Sequence, residues 1–458
     1  MPSFMNKKSW LIGFFLSLVL VVGYQLRVKN SVNVPLPGQS LDEYSNAWVG
    51  LSLIRLGVPV GISGLSGIAT YPSYINPDRV FSSTIPGGAL AISYPWFDHP
   101  PLMGLVSGGI AYLRGDRVFE DVSTATIRKP VIWLSTVNIA LIFLLAYLWF
   151  GSLAAVLAAL LYATSPLAIV GGRMVQAENG LVPIWLISLC LLALAEKYNK
   201  TNLIRLAAFF AGLAVLFKLS GVVAVISGVL IIRKRRDLIE FLAISISIAL
   251  LFVFYGLAID GREFIAVLMS NAERTYGIGL NAVYDLITST KITSTKYLTD
   301  GWPLVGWLSL GYLATRKKLS PLIICLGSYL AVYLLFGSAS YGWYRIPFLP
   351  FLFIASGYFL ARGISGTNSL LALIALLIPL GVNATKIFEG VTLPWLISTF
   401  RFGTFGLVSL ALTSLAWPEK RALSLAVRAG LLLVLAAAVV SNIVYARMID
   451  VNYWYKVN

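Results

Sequence analysis

Phe97-Asp98-His99-Pro100-Pro101-Leu102-Met103-Gly104-Leu105-Val106-Ser107-Gly108-Gly109-Ile110-Ala111-Tyr112-Leu113 decides how the rest of the chain is threaded. Pro100–Leu113 is apolar, but it is short, holds three glycines and opens on two prolines. A transmembrane helix needs about 20 apolar residues to cross a hydrocarbon core about 30 Å thick. Charge settles whether this segment crosses. Suppose it does not, and the N-terminus is cytoplasmic. Then Lys7/Lys8, Lys197/Lys200/Arg205, Arg233–Arg236, Arg316–Lys318, Arg362 and Lys420/Arg421/Arg428 all fall on the cytoplasmic side, as the bias of short loops requires. If it does cross, every later cluster moves outside. The segment is therefore expected as a half-buried helix lying on the outer membrane surface.

Working outward, apolar runs of membrane length recur at 9–24, 130–149, 152–170, 181–195, 203–217, 219–232, 239–258, 302–314, 319–336, 346–361, 369–383, 394–416 and 424–445. The chain has 458 residues, of which 58% are hydrophobic and only 12% charged, and its mean hydropathy is +0.83. A soluble domain is about half apolar and about a quarter charged. The reading is an all-α polytopic membrane protein with about 13 transmembrane helices. The run after Lys7 and Lys8 lacks a small-x-small cleavage site before Tyr24-Gln25-Leu26-Arg27, so it reads as a retained anchor. The net charge of +16 does not mean nucleic acid, because Lys and Arg sit in short clusters between apolar runs. Cys190 and Cys325 lie inside apolar runs and read as small core or lipid-facing residues.

With Pro100–Leu113 outside, residues 25–129 form one long external loop. Residues 171–180, 259–301, 337–345 and 384–393 join it on the same side. Two modules follow: 1–258, with that first loop, and 259–458, with the loop 259–301. No separate soluble domain and no fixed-period repeat is expected.

Chemistry-bearing residues collect on that one side. Leu41-Asp42-Glu43-Tyr44 puts an acidic pair just past the first run; alone it reads as a solvated loop or a helix-capping carboxylate. Asp98 precedes the diproline, where a carboxylate suits a helix start. Arg128 and Lys129 stand at the mouth of the second run; Arg grips phosphate bidentately, although interfacial snorkelling is the commoner reason for such residues. Arg173, Gln176, Glu178 and Asn179 interrupt two apolar runs, where ionisable groups are costly. Tyr341-Gly342-Trp343-Tyr344-Arg345-Ile346-Pro347 combines an aromatic belt with an arginine. Each is weak singly. Together they fit a reaction on an anionic lipid at the bilayer surface.

These motifs, in this order, resemble those of protein O-mannosyltransferases and lipid A aminoarabinose transferases. Leu41-Asp42-Glu43-Tyr44 is similar to the acidic motif after their first helix, and Asp98-His99-Pro100-Pro101-Leu102 to the acid-x-His-Pro-Pro-Leu stretch of the O-mannosyltransferases. Arg128 matches the arginine before their second span. Thr164-Ser165-Pro166-Leu167 with Arg173 and Glu178 resembles their helix end and second acidic loop. Gly212-Leu213-Ala214-Val215-Leu216-Phe217-Lys218 resembles a glycine-leucine to lysine helix, and Tyr344-Arg345-Ile346-Pro347 with Pro350 an arginine-tyrosine-x-x-proline helix in reversed order. The resemblance implies a GT-C-like fold, with surface-lying helices in the first external loop, and a sugar donor on a polyprenyl phosphate. It maps the catalytic aspartate to Asp42. His99 stands where the aminoarabinose transferases carry lysine, Glu178 where they carry aspartate, and the large inserted external domain of eukaryotic O-mannosyltransferases is absent. The donor sugar and the acceptor (protein, glycolipid or phospholipid) stay open, with mannose favoured.

The implied mechanism gives Asp42 the role of general base, worth about 10²–10⁴-fold. Arg128, Arg173, Arg345 and Lys218 would bind the donor phosphate. Glu43, Asp98 and Glu178 would orient sugar or acceptor, and His99, Trp343 and Tyr344 would touch lipid or sugar. One base and a leaving phosphate that needs no proton imply inversion. No cofactor is required, and a divalent metal is unsupported, because Asp98 with His99 supplies only two adjacent ligands. His99, the sole histidine, excludes a His-rich metal cage. The expected partners are the lipid-linked donor, membrane lipids and the acceptor, in the plasma membrane, with the active site extracytoplasmic. The rival is a secondary transporter or flippase, which would place its ionisable residues near the bilayer midplane rather than at the rim.

Overall fold

The structure is a computed structural model that describes residues 7–63, 65, 69–75, 90–273, 279–315, 320–336, 341–389 and 394–456, with the side chains of 7–9, 41, 69–75, 90, 91 and 336 left undescribed. Among the described residues eight helices are long and apolar enough to cross a membrane, and five shorter apolar helices of 10–17 residues accompany them. The chain is an integral membrane protein.

Helix α1 (Lys7–Val28) leads into α2 (Leu41–Leu56). A two-stranded antiparallel sheet follows, β1 (Ala69–Ile75) against β2 (Leu90–Tyr94), with Ala69 opposite Tyr94 and Ile75 opposite Leu90. This sheet departs from the all-α expectation; both strands are rich in aromatic and β-branched residues, which suit a pleated surface. Next come α3 (Leu102–Leu113), α4 (Thr124–Phe150), α5 (Ser152–Thr164), α6 (Pro166–Gly171), α7 (Ala177–Tyr198), α8 (Thr201–Phe217), α9 (Val222–Ile231), α10 (Arg235–Ala249) and α11 (Leu251–Ala272). The C-terminal half comprises α12 (Leu280–Thr288), α13 (Trp302–Ala314), α14 (Pro321–Phe336), a 3₁₀ segment Gly342–Phe348, α15 (Leu349–Ile364), α16 (Ser369–Glu389), α17 (Pro394–Ala416), α18 (Arg421–Met448) and α19 (Val451–Lys456). The expected basic cluster 316–318 lies outside the described residues.

Two expected boundaries move. The run 152–170 is two helices, because α5 stops at Thr164 and Ser165 restarts the chain by accepting the Ala168 N–H at 3.2 Å, with Pro166 in the first turn of α6. The run 239–258 does not end at 258. Helix continues to Ala272 across a kink at Asp260 (φ −161°, ψ 97°), whose Oδ1 accepts the N–H groups of Arg262 and Glu263, each at 3.1 Å, and so caps the second half.

At 12 residues, α3 is about 18 Å long at 1.5 Å per residue, well short of a hydrocarbon core of about 30 Å. It lies against α2 with almost no side chain between the backbones. A Cβ on Gly50 would sit 1.9 Å from the Gly104 carbonyl oxygen, and one on Gly108 would sit 2.3 Å from the Leu51 nitrogen. Only glycine permits that approach. Trp48 is fully buried beside this contact and donates Nε1–H to the Phe119 carbonyl at 2.9 Å.

Buried amides tie the two halves together. Asn442 on α18 donates to Thr164 Oγ1 (3.2 Å) and accepts from Trp302 Nε1 (2.9 Å) and Asn383 Nδ2 (2.6 Å), joining α5, α13, α16 and α18. Trp454 of α19 donates to Gln39 Oε1 (2.6 Å), and Ser294 donates to the Gln39 carbonyl (2.9 Å). These bonds bring α19 and the 289–299 loop to the start of α2. We call this the loop end of the bundle.

Candidate functional site

Glu43, in the first turn of α2, is fully buried and meets Arg128 of α4 in a two-pronged ion pair, Nε to Oε1 at 3.0 Å and Nη2 to Oε2 at 2.7 Å. The Val175 N–H also donates to Glu43 Oε1 (2.9 Å). Arg128 spends Nη1 on the carbonyls of Ser31 (2.7 Å) and Pro35 (2.8 Å). Two desolvated charges are tolerable only with such complete pairing. Burial and the Glu43 charge push the neighbouring Tyr44 phenol up to about 12.

Arg173 forms a second clasp. It donates Nε–H to the Arg27 carbonyl (3.0 Å) and Nη2 to those of Leu26 (2.8 Å) and Lys29 (2.6 Å), placing a cation on the C-terminal carbonyls of α1. Burial, with the cations of Arg128 and Arg27 nearby, holds its pKa below the usual arginine value. Arg128 and Arg173 therefore face protein acceptors. The expected phosphate role for them meets guanidinium groups that are already engaged and 1% exposed.

Asp42 lies beside Glu43 in the first turn of α2; its side chain is half-buried, close enough to Lys218 and Tyr344 for its charge to act on both. The backbone there is fixed from three directions. Gln176 Nε2 donates to Ser40 Oγ, Asn46 Nδ2 donates to the Val175 carbonyl (3.2 Å), and Ser294 holds Gln39.

Glu178 and Lys218 form a second ion pair, Nζ to Oε1, and the ammonium also sits 4.4 Å from the centre of the Tyr344 ring. Glu178 Oε2 is buried with no partner among the described residues. Such an oxygen is costly unless something donates to it. Trp343 is buried and stacks on Tyr341, with centroids 4.7 Å apart and planes 7° from parallel. Asp98 accepts from Ser63 Oγ (2.7 Å), His99 meets Trp96 edge-on at 5.9 Å, and Phe97 between them packs on Tyr255 and Phe264 of α11.

Arg345 donates Nε–H to the Leu286 carbonyl (3.1 Å), Nη1 to that of Lys291 (2.5 Å) and Nη2 to that of Asp285 (3.0 Å), capping the end of α12. It also lines a cavity of about 410 Å³. The walls include Leu167, Leu286, Trp307, Ile346, Leu349 and Leu352, and the charged residues among those described are Lys291 and Arg345. This greasy, acid-free and cationic chamber opens beside the same 3₁₀ segment that carries Tyr344.

A family model described as dolichyl-phosphate-mannose-protein mannosyltransferase matches residues 98–269. Two solved structures superpose along 96% of this chain. One is ArnT from Cupriavidus metallidurans bound to undecaprenyl phosphate, with a TM-score of 0.51, 15% identity and 78% of its own length covered. The other is the archaeal oligosaccharyltransferase AglB from Archaeoglobus fulgidus, in complex with an inhibitory peptide and a dolichol-phosphate, with a TM-score of 0.51, 12% identity and 56% of its length covered. The chain has the GT-C fold. No curated protein matches the sequence.

Within this GT-C frame the sequence motifs are brought together unevenly. The acidic first turn of α2 and the 173–178 segment are joined directly, and Lys218 links Glu178 to the Tyr344 ring. Asp300 was missed. Fully buried, it accepts from Ser165 Oγ, the Leu167 N–H (3.2 Å) and the Trp302 N–H (3.1 Å). Burial holds its carboxyl above the ordinary range against those three donors. Its signal was present as Asp300-Gly301-Trp302-Pro303, an acid two residues ahead of a helix that opens near proline. Gln39, Asn46 and Ser294 were missed as well, and their spacing in sequence gives no sign that they meet. Among the described residues no three of His, Cys, Asp or Glu come within reach of one metal ion.

Proposed function

We propose that this GT-C protein is an inverting glycosyltransferase that moves one sugar, mannose, from a polyprenyl-phosphate carrier to an acceptor hydroxyl. The cavity at Arg345 carries this reading: it offers apolar walls for a lipid chain and two cations, without a carboxylate, for the phosphate. A lipid phosphate is the ligand that both halves of that lining favour. The matched family description and the lipid phosphates named with ArnT and AglB support the donor class. The family description alone supports mannose. We place the loop end outside the cytoplasm, in the plasma membrane, because the basic clusters at Arg233–Arg236 and Lys420/Arg421 lie at the opposite end of the bundle.

In this mechanism Asp42 accepts the proton of the acceptor hydroxyl as its oxygen attacks the anomeric carbon. The bond from C1 to the phosphate oxygen breaks, and polyprenyl phosphate leaves with the electron pair. Lys218, Lys291 and Arg345 stabilise the charge gathering on that phosphate. The open oxygen of Glu178 orients a sugar hydroxyl. Arg128, Arg173 and Glu43 keep the acidic turn of α2 in place.

The test uses the full chain in nanodiscs with polyprenyl-phosphate [³H]mannose and a mixed acceptor extract. Asp42→Asn is expected to cut transfer by about 10²–10⁴-fold with unchanged thermal unfolding. Full transfer by that variant removes Asp42 from the role. Absence of label transfer by the wild type, with uptake of the intact lipid-linked sugar instead, overturns the enzyme reading.

A further inference from the structure

A second cavity of about 610 Å³ backs onto the first, and the two share Thr290 and Leu298 as a common wall. Its chemistry is opposite. The lining carries Lys386 and Lys456 against Glu389 and Asp450, so its formal charges cancel. Tyrosines come from three separate segments, Tyr297, Tyr445 and Tyr453, and Asn452 adds an amide. Tyr297 is 40% exposed, leaving part of its ring uncovered. Asp450 Oδ1 caps the Tyr453 N–H at 2.8 Å, which fixes α19 beneath the cavity.

We propose that this chamber is a binding site for a neutral, hydroxyl-rich glycan and is the acceptor subsite; the acceptor part of this assignment rests on the transferase reading above. A pyranose has an apolar C–H face that packs on a tyrosine ring and a hydroxyl edge that pairs with carboxylate, amide and ammonium groups. An anion finds no net charge here, and a lipid chain finds too many polar groups. The volume lies within the range of about 300–1,000 Å³ usual for small-molecule sites. The shared wall sets the glycan beside the donor: Lys291 of the first cavity lies 6.0 Å from the centre of the Tyr297 ring.

The experiment is saturation-transfer NMR on the full chain in nanodiscs, with mannotriose, maltotriose and chitotriose as probes. At least one trisaccharide should show transfer. That signal should fall by about tenfold in Tyr297→Ala and in Asn452→Ala, the scale of one lost ring face or polar contact. Both residues are exposed, so circular dichroism should be unchanged, and Trp307→Ala in the first cavity should leave the signal intact. Silence from all three sugars overturns the site, as does a signal that survives both substitutions or one displaced by a Ser/Thr-rich peptide. Undecaprenyl phosphate, followed by thermal shift, tests the donor reading separately. If it fails to bind while a trisaccharide does, the glycan site stands and the lipid donor falls.

Discussion

Arg128 and Arg345 both guard the loop end, and both read in sequence as phosphate binders, yet they stand in different surroundings. Arg128 is sealed, paired with Glu43 and bonded to three carbonyls. Arg345 also caps carbonyls, but it faces a chamber with no acid among its described lining. An arginine that has its own carboxylate and no exposed edge does structural work, whereas one that keeps its charge toward a cavity can meet a ligand. Cations near a membrane site therefore cannot be counted together; each must be followed to its acceptors.

The sharpest attempt to break this contrast is Arg128→Ala. It strands Glu43 in the core and should cost about 3–5 kcal/mol of stability, seen as a fall in thermal unfolding temperature in detergent. Arg128→Met combined with Glu43→Gln should recover much of that loss. If Arg128→Ala instead unfolds like the wild type but fails to bind undecaprenyl phosphate, Arg128 belongs with Arg345. Next in size is Asp300→Ala, which leaves three donors unmet; it should lose about 2–3 kcal/mol by the same measurement, and an unchanged midpoint would show that the three bonds contribute little. Lys291→Met should weaken undecaprenyl phosphate binding by about tenfold, read by microscale thermophoresis, while leaving the unfolding temperature alone. The smallest effect concerns Asp121, an exposed control far from either arginine's role. The Arg117 and Val118 N–H groups hold its carboxyl below the ordinary range. Its contribution is present above the unfolded carboxylate pKa and is lost as pH falls through the lowered value. Asp121→Asn should therefore flatten the acid limb of an unfolding profile by less than about 1 kcal/mol.

Much of the frame was legible because it rests on local rules. Long apolar runs mark the long helices, and 12 apolar residues with three glycines, entered through two prolines, could only make a short helix. The acidic turn Asp42-Glu43 and Glu178 stood out because charge is scarce in such a chain, and Lys218 through the resemblance; that Glu178 and Lys218 pair is a finding of the structure. What stayed hidden depends on distant residues meeting. Asp260 reads as the start of a loop, but its carboxylate caps a continuing helix, so the expected boundary at 258 moved. The β1–β2 pairing joins strands across an intervening segment. Both cavities draw walls from the 289–299 loop and later helices, the first also from α12, and nothing in the spacing of Trp307, Arg345 and Leu352 announces a chamber. The unequal lives of Arg128 and Arg345 are likewise decided by the acceptors folded around them.

The glycine contact between α2 and α3 has its own consequence. With Gly50 seated on Gly104, and Gly108 on Leu51, the two helices have no compressible layer between them and can neither slide nor rock against each other. They act as a single stiff plate, and the acidic turn at its edge keeps a fixed height over the bundle. Any movement that admits a bulky substrate must then come from the elements around this plate, such as the neighbouring 289–299 strap, which meets Gln39 through one serine hydroxyl.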